Sequence, residues 1–347
     1  MKIIKSKIGG DLESFALTND SEMRVTIINY GAAIAWIEVP DSSGKIADVT
    51  LGHADLRDFV GGRFYLGATV GRFANRIARG RFELDGKEHQ VTVNSKGNHL
   101  HGGTVGFDKK YWVSRIVEDS GGPSLEFSLI SPDGEEGFPG KMEVRVEYRV
   151  TEESELVIMY SAVSNKPTVI NLTSHGYFNL TGSPANSIVD HILTINADKF
   201  TVTDNLSIPT GEVRSVEGTP LDFRVPTRIG DRIDSEYEQL MFAGGYDQNF
   251  QLSDYNGSVR KAASAHDQFT GRLMDVYADQ PGLQFYSGNY LDGTVNGRDG
   301  SPLSRRSGFC LECQHFPDST SHPEFPSVVL RPGDAYKQKT IYKFSVK

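Results

Sequence analysis

Short extended runs separated by turn clusters are the feature that most restricts what this chain can fold into. Residues 82–93, FELDGKEHQVTV, form two such runs joined by Asp85-Gly86. An Asp-Gly pair between extended segments is a strong sequence signal for a β-hairpin. The same strand-like composition is found in KMEVRVEYRV (141–150), ELVIMYSAV (155–163), GLQFYSGNYL (282–291) and the closing KTIYKFSV.

Helical periodicity is scarce by comparison. Only ADLRDFV (54–60) and RIGDRI (228–233) have a pattern that predicts a short helix. Without helices between the strands, a parallel β-α-β architecture is excluded, and an all-β, large antiparallel β-sandwich with few short helices is predicted. No linker, repeat or low-complexity stretch divides the sequence, so we expect a single domain over residues 1–347.

Charge and composition limit the partners that this chain is expected to bind. The net charge of −9 is unfavourable for nucleic acid or an anionic membrane surface, since both attract basic proteins. The first residues lack an apolar run long enough for a signal peptide, and no stretch predicts a membrane span. We therefore expect a cytoplasmic protein, monomeric or homodimeric. Cys310 and Cys313 form a C-x-x-C pair inside a strand-like run, which favours buried structural cysteines over a redox pair.

The stretch INLTSHGYFNL (170–180) alternates with period two. One side is mostly apolar and belongs in a core, whereas the other carries Asn171, Thr173, His175, Tyr177 and Asn179. The alternation alone leaves open whether this polar row faces water or lines a site in which His175 performs chemistry.

Glu312 lies in the apolar run SGFCLECQHF. Burial there would raise its pKa toward neutrality and make it a competent general base, because a low-dielectric environment disfavours the carboxylate. A glutamate on the wet face of a half-exposed strand is the simpler interpretation of this segment by itself.

Histidines and arginines supply further candidate groups. His99 and His101 in NHLHGG share a face of any strand, which fits either a metal-binding pair or polar ligands for an uncharged molecule, and Gly102-Gly103 would let backbone approach a ligand. GRFANRIARG (71–80) offers three arginines, Arg72, Arg76 and Arg79, whose guanidinium forks suit carboxylates, phosphates or vicinal sugar hydroxyls.

Asp247 follows a glycine turn in GGYDQNFQL. With the histidines, Glu312 and the arginines it completes an inventory suited to acid–base chemistry on a neutral polyhydroxylated substrate. The chain contains no phosphate loop, dinucleotide fingerprint or nucleophile elbow.

Several of these motifs together resemble the aldose 1-epimerase (galactose mutarotase) family. They occur in family order from about residue 30 to the C-terminus, which makes the resemblance far more specific than any single match. The matching stretches are GATVGRFANRI (67–77), NHLHGG (98–103), DGEEGFPG (133–140), NLTSHGYFNL (171–180), IPTGEV (208–213), GTPLDFR (218–224), GYDQNF (245–250), CLECQHFPDS (310–319) and HPEFPSVVLRPGDAY (322–336).

The resemblance implies a large single-domain β-sandwich that interconverts the α and β anomers of free aldohexoses such as galactose and glucose, with no metal or organic cofactor. It implies that Glu312 is the general base on the anomeric hydroxyl and His175 the general acid on the ring oxygen. The residues that it assigns to sugar binding are Asn75, Arg76, His101 and Asp247.

Two positions depart from the family pattern. Gln248 replaces a histidine common after the aspartate of the GYD motif, and Ser321 replaces an asparagine common before HPEFP. We expect the Gln248 amide to remain able to donate to a sugar hydroxyl. Two alternatives to the epimerase remain at this stage: a carbohydrate-binding or sensing protein on the same fold, and a metal-dependent sugar isomerase using His99, His101 and His175.

Overall fold

A computed structural model describes every residue from Met1 to Lys347, and strands dominate it. The strands, numbered in chain order, are β1 Lys2–Gly9, β2 Leu12–Thr18, β3 Arg24–Ile28, β4 Ala33–Pro40, β5 Ile46–Asp48, β6 Thr69–Val70, β7 Arg76–Ile77, β8 Arg81–Leu84, β9 Lys87–Gln90, β10 His99–Leu100, β11 Val113–Asp119, β12 Gly122–Ser131, β13 Met142–Val150, β14 Glu155–Ser164, β15 Thr168–Val169, β16 Thr173–Ser174, β17 Tyr177–Phe178, β18 Ile192–Ile195, β19 Lys199–Thr203, β20 Pro209–Ser215, β21 Thr227–Arg228, β22 Asp247–Gln251, β23 Arg260–His266, β24 Arg272–Ala278, β25 Gly282–Tyr286, β26 Asp292–Asn296, β27 Pro302–Ser304, β28 Phe309–Gln314, β29 Val329–Leu330 and β30 Tyr336–Val346.

Helical structure is short and rare. One α-helix is present, α1 Glu238–Ala243, and no helix is long and apolar enough to cross a membrane. The 3₁₀ turns are Leu56–Phe59, Ala78–Gly80, Phe107–Lys109, Glu135–Gly137, Ile188–Asp190 and Ile229–Asp231.

Three antiparallel sheets form the body of the molecule, and the remaining strands pair in twos. The orders are β1-β2-β3-β4-β5, β11-β12-β13-β14-β30-β24-β23-β18-β21 and β17-β28-β25-β22-β19-β20. The nine-stranded and six-stranded sheets share one large core, in which Val146 of β13 and Tyr342 of β30 belong to the same buried cluster as Leu283 of β25 and Leu311 of β28. The all-β sandwich expected from the sequence is confirmed.

Strand β28 is buried on both faces, and this places the site. Phe309, Leu311 and Cys313 alternate into the large core, where each buried side chain of Leu or Phe size contributes about 1.5–3 kcal/mol to folding. Cys310, on the other face, packs in a second cluster that includes the cleft-lining Tyr177 and Tyr286. The sheet therefore presents one apolar face inward and one polar, covered face outward.

The hairpin predicted around Asp85-Gly86 is confirmed. Strands β8 and β9 pair through Leu84 and Lys87, and Asp85 (φ 53°) and Gly86 (φ 74°) both adopt the positive φ that a tight hairpin turn requires. The runs at 141–150, 155–163 and 282–291 correspond to β13, β14 and β25. The two predicted short helices are single 3₁₀ turns, and α1 was not predicted because six residues are too few to show a helical period.

The segment 170–180 behaves differently from the expected single strand. It is broken into β16 and β17, and all eleven of its residues are buried. Its apolar side, including Leu172 and Phe178, enters the large core as predicted. The opposite side is buried too, because neighbouring segments pack on it; Asn171 and Thr173, for example, donate to the carbonyls of His315 and Cys313.

Candidate active site

A cleft of about 700 Å³ opens on the covered face of the six-stranded sheet. All six site residues predicted from the sequence line it, although they come from distant parts of the chain: Asn75, Arg76, His101, His175, Asp247 and Glu312. The strands β22, β25 and β28 are neighbours in the sheet, which brings Asp247 and Glu312 to the same surface.

Glu312 is a buried carboxyl group with incomplete hydrogen bonding. Its side chain lies in the middle of β28 opposite Gln284 of β25, the residue is 2% exposed, and its Oε2 has no hydrogen-bond partner. Burial, and then the charge of Asp247, raise the pKa of Glu312 well above its ordinary value, while Arg76 opposes the rise. The simpler interpretation of this residue, a wet strand face, is therefore wrong.

His175 faces Glu312 from the link between β16 and β17. Its backbone is fixed by two hydrogen bonds, from its N–H to the carbonyl of Ala68 (2.9 Å) and from Gly67 N–H to its own carbonyl (3.0 Å). Its Nε2 lies 3.9 Å from Glu312 Oε2. Burial lowers the pKa of His175 to about 4, since charging the imidazole in this environment is costly.

Two aromatic rings hold the imidazole of His175 in place. The Tyr65 ring stacks on it with centroids 5.7 Å apart, and the Tyr177 ring lies 5.0 Å away at a tilt. Tyr65 has no sequence signal that would have identified it, because it sits in a loop, at φ 56°, outside the motifs that the sequence offered.

His101 and Asn75 hold each other in strained backbone conformations. Asn75 (φ 65°) and His101 (φ 50°) are both in the left-handed region, which residues with a Cβ seldom adopt. The N–H of Asn75 donates to His101 Nδ1 (3.1 Å), and the N–H of His101 donates to the Asn75 carbonyl (3.0 Å). Because Nδ1 accepts, the neutral imidazole of His101 carries its proton on Nε2. Burial lowers its pKa well below the ordinary value.

Arg76 and Asp247 form a charged pair in the cleft. Arg76 Nη2 lies 3.7 Å from Asp247 Oδ2, and its Nη1 donates to Asn75 Oδ1 at 3.2 Å. Gln284 Nε2 donates to Asp247 Oδ1 at 2.7 Å. The sequence interpretation did not include Gln284, although its alternation on β25 with Leu283 and Phe285, both in the core, could have indicated a residue on the cleft face.

Other predicted candidates lie outside the cleft. Arg72 is 2% exposed and donates to backbone carbonyls such as Pro139 O (2.9 Å), so it is structural, and Arg79 is exposed. His99 points away, with Nδ1 2.7 Å from the carbonyl of Thr92. The metal set of His99, His101 and His175 is therefore not assembled.

The glycines after His101 serve packing and not ligand approach. A Cβ on Gly102 would lie 1.9 Å from the Gly71 carbonyl oxygen, and one on Gly103 would lie 2.1 Å from Glu136 Oε2. The groups that come close to the Gly102 and Gly103 backbone are thus the Gly71 carbonyl and the Glu136 side chain, and not a ligand as expected.

The two departures from the family pattern also lie away from the cleft. Gln248 is 1% exposed; its Oε1 accepts from the N–H of Asp247 and its Nε2 donates to the carbonyl of Gln239 in α1. The expectation that Gln248 donates to a sugar is wrong, because successive residues of β22 point to opposite faces. Ser321 donates to Asp318 Oδ1.

The polar row of the segment 170–180 divides into two roles. Asn171, Thr173 and Asn179 bond to carbonyls of neighbouring segments, for example Thr173 Oγ1 to Cys313 O at 3.0 Å. Besides His175, Tyr177 is the member of the row that lines the cleft, and its ring contacts the His175 ring. The question that the alternation left open is thus answered differently along the row: His175 and Tyr177 line the cleft, and the other three side chains bond within the protein.

Cys310 and Cys313 are both free and buried, as predicted. Cys310 lies beside the site, with Sγ 3.6 Å from His175 Nδ1. The donor atoms of His175, Cys310 and Glu312 lie within 4.8 Å of one another, which makes them the group that could hold a metal ion. The same atoms can instead exchange protons with a substrate, so removal of metal is an informative control.

Comparison with known proteins gives a consistent result along the whole chain. A family profile described as aldose 1-epimerase matches residues 13–343. The chain is 45% identical to the galactose mutarotase of Homo sapiens over 340 residues (97% of this chain, 95% of the relative). It is 37% identical to the aldose 1-epimerase of Escherichia coli over 330 residues, with 94% of each chain covered. The crystal structure of galactose 1-epimerase from Lactobacillus acidophilus superposes with a TM-score of 0.87 at 29% identity, covering 99% of this chain and 98% of that one.

Proposed function

The chain belongs to the aldose 1-epimerase family, a family of isomerases, and from this premise we propose that it interconverts the α and β anomers of free aldohexoses such as galactose and glucose. Glu312 is the general base on the anomeric hydroxyl O1, and His175 is the general acid on the ring oxygen O5. Asn75, Arg76, His101 and Asp247 hold the sugar hydroxyls. No metal or organic cofactor takes part in the proposal.

The Glu312–His175 pair is the observation that carries this proposal. The two side chains line the same cleft with their nearest atoms 3.9 Å apart, so both can reach atoms attached to one sugar carbon. O1 and O5 are both bonded to C1. An acid and a base at this separation therefore suit a reaction in which both proton transfers occur at a single carbon.

The reaction balances with one proton shared by the pair. The Glu312 carboxylate takes the proton of O1–H, the electron pair of that bond forms C1=O1, the C1–O5 bond breaks, and O5 takes a proton from His175 Nε2. Rotation about C1–C2 turns the other face of the aldehyde toward O5. Reversal of the same transfers then closes the ring as the other anomer.

Burial of the pair affects the two protonation distributions differently. The one proton of the pair has two distributions: ring opening starts from the charged one, carboxylate and imidazolium, and leaves both groups neutral. Burial raises the pKa of Glu312 and lowers that of His175, so the environment favours the neutral distribution that accompanies the open-chain aldehyde. The charged distribution is therefore the minor one, and when it forms, its imidazolium is a strong acid and its carboxylate a strong base facing the same sugar carbon.

The charge of the cleft favours an uncharged sugar. Each cation that lines it lies beside a carboxylate: Arg76 beside Asp247 (3.7 Å), Arg63 beside Asp292 (3.1 Å) and Lys109 beside Asp108 (3.9 Å). A sugar phosphate would need an uncompensated cation. The tyrosines 65, 177, 286 and 290 supply apolar ring faces for the C–H surfaces of a sugar.

Polarimetry tests the proposal. Freshly dissolved α-galactose and α-glucose should reach anomeric equilibrium much faster with the purified protein than without it, and EDTA should leave the rate unchanged. Binding of sugar without acceleration would instead indicate a carbohydrate-binding protein. Loss of the rate with EDTA and its recovery with metal would indicate a metal-dependent enzyme.

A further inference from the structure

The Nδ1 atom of His175 has one side-chain neighbour within hydrogen-bond distance, the sulfur of Cys310 at 3.6 Å. This sulfur makes no other hydrogen bond, and Cys310 is completely buried. Burial raises the pKa of the Cys310 thiol well above its ordinary value, so the group is a neutral thiol at neutral pH. A thiol is both a weak donor and a weak acceptor, which leaves two orientations for this contact.

The two orientations have opposite consequences for the other nitrogen of the ring. If S–H donates to Nδ1, the neutral imidazole carries its proton on Nε2. If Nδ1–H donates to sulfur, Nε2 of the neutral imidazole is a free lone pair facing Glu312. Proton exchange with O5 at Nε2 requires the second arrangement, because the neutral ring must be able to take a proton back at the same atom.

His101 provides the contrast within the same cleft. Its Nδ1 accepts a backbone N–H from Asn75, which fixes its proton on Nε2 and makes it a hydrogen-bond donor toward the cleft. The two histidines, whose ring centroids are 5.2 Å apart, thus differ in the group placed at Nδ1: a donor for His101, and a thiol able to accept for His175.

We propose that Cys310 is a positioning residue for the reaction: its sulfur accepts Nδ1–H of His175 and so keeps the Nε2 lone pair directed at Glu312 and the substrate. The proposal rests on the acid role assigned to His175 above. Because sulfur is a weak acceptor, it orients the imidazolium with little stabilisation of its charge, and His175 remains a strong acid. A carboxylate at this position would orient the ring equally well but would stabilise the imidazolium and weaken the acid.

The tautomer of His175 tests this directly, without reference to any activity. Protein labelled with ¹⁵N-histidine is examined by long-range ¹H–¹⁵N correlation at pH 7, with the His175 signals assigned by their loss in His175→Asn. We expect the Nδ1–H form in the native chain and a shift toward Nε2–H in Cys310→Ala. Cys313→Ala is the matched control, because it removes the other buried thiol from the opposite face of β28, and it should leave the His175 signals unchanged.

Kinetics provide the second measurement. Cys310→Ala should lower kcat roughly three- to tenfold with KM changed less than about twofold, which corresponds to one weak hydrogen bond. Cys310→Ser, whose oxygen is also an acceptor, should recover part of the loss. An Nε2–H tautomer in the native chain, or an unchanged tautomer in Cys310→Ala, would overturn the proposal. Absence of mutarotation in the native protein would instead refute the proposed function and leave the tautomer result standing.

Discussion

Two regions of the cleft differ in how far their charged groups are hydrogen-bonded to other protein groups. Arg76 and Asp247 are tied into a network: each lies beside the other, Asn75 accepts from the arginine, and Gln284 donates to the aspartate. Glu312 and His175 are left almost unpaired, with a carboxyl oxygen that has no partner and a gap of 3.9 Å between them. Each region has its carboxylate on the six-stranded sheet, Asp247 on β22 and Glu312 on β28.

The difference fits the roles proposed for the two regions, in which Arg76 and Asp247 hold the substrate and Glu312 and His175 exchange protons with it. A hydrogen bond made in advance to a binding residue fixes its geometry and lowers the entropy lost when the sugar binds. A proton donor or acceptor is weakened by the same treatment, because a partner stabilises one protonation state and resists the change to the other. Substitutions in the two regions should therefore have different kinetic signatures.

Glu312→Gln should produce the largest effect, because it removes the only group proposed to accept the O1 proton. We expect kcat to fall by at least about a hundredfold, measured by polarimetry. The free energy of unfolding should be unchanged or higher, since the amide resembles the neutral acid that burial favours. Full activity in this variant would contradict the assignment of Glu312 as the base.

His175→Asn should lower kcat by a similar order, about a hundredfold, with a smaller change in KM. His315→Asn is the matched control, because His315 is also largely buried and follows Glu312 by three residues, yet it lines a different cavity. The control should retain activity within about twofold. Equal losses in the two variants would show that the effect comes from the fold and not from the acid.

Arg76→Ala should act on binding and catalysis together and lower kcat/KM by roughly ten- to a hundredfold. It removes the charged donor proposed to bond the sugar hydroxyls, an interaction worth about 1.5–3 kcal/mol, and leaves Asp247 without its cation. Arg79→Ala, an exposed arginine three residues later, is the control and should be near native. A loss confined to kcat would indicate that Arg76 acts in proton transfer. It would contradict the proposed division between binding groups and proton-transfer groups.

The effect of pH on kcat/KM should be the smallest of the kinetic effects. With the pKa of His175 at about 4, kcat/KM should vary by less than about twofold between pH 7 and 5.5, whereas an ordinary histidine would titrate near 6.5. Titration of the His175 ring itself near pH 6.5, followed by its ¹⁵N chemical shifts, would contradict the lowered pKa of His175.

The free energy of unfolding should also depend on pH, because several buried histidines have lowered pKa values. Burial lowers the pKa values of His99, His175 and His315 to about 4, so between about pH 6.5 and 4 these side chains take up protons in the unfolded chain and not in the folded one. Each of these histidines should therefore make the unfolding free energy decrease as the pH falls, by up to ~1.4 kcal/mol per pH unit, whereas Asp48 and Asp108, whose pKa values burial raises to about 7 and about 6, contribute the opposite slope. Urea unfolding of the native chain and of His175→Asn at a series of pH values measures the contribution of one histidine.

The sequence contained enough information for the architecture and for six of the side chains that line the cleft. Turn chemistry such as Asp85-Gly86 and the alternation of β13 are local properties, and they identified strands and hairpins correctly. The ordered motifs identified the family. The predictions of a single domain, a cytoplasmic location and a monomer or homodimer stay predictions.

Local patterns were insufficient wherever a residue's role depends on what covers it. Alternation told which residues of 170–180 enter the core, but not that the opposite face is buried too, or that only His175 and Tyr177 reach the cleft. Gln248, which the family resemblance led us to expect as a donor to the sugar, instead donates to the carbonyl of Gln239, away from the cleft.

The chain by itself determined its strands, its hairpins and the chemical groups available, since these follow from backbone preference and side-chain type over a few residues. Only the tertiary structure decided which groups meet and in what protonation state. Glu312, His175 and Cys310 are brought together by strand pairing between β17 and β28, and their pKa shifts arise from burial by segments distant in sequence. Desolvation depends on everything packed around a group, and no short stretch of sequence contains that information.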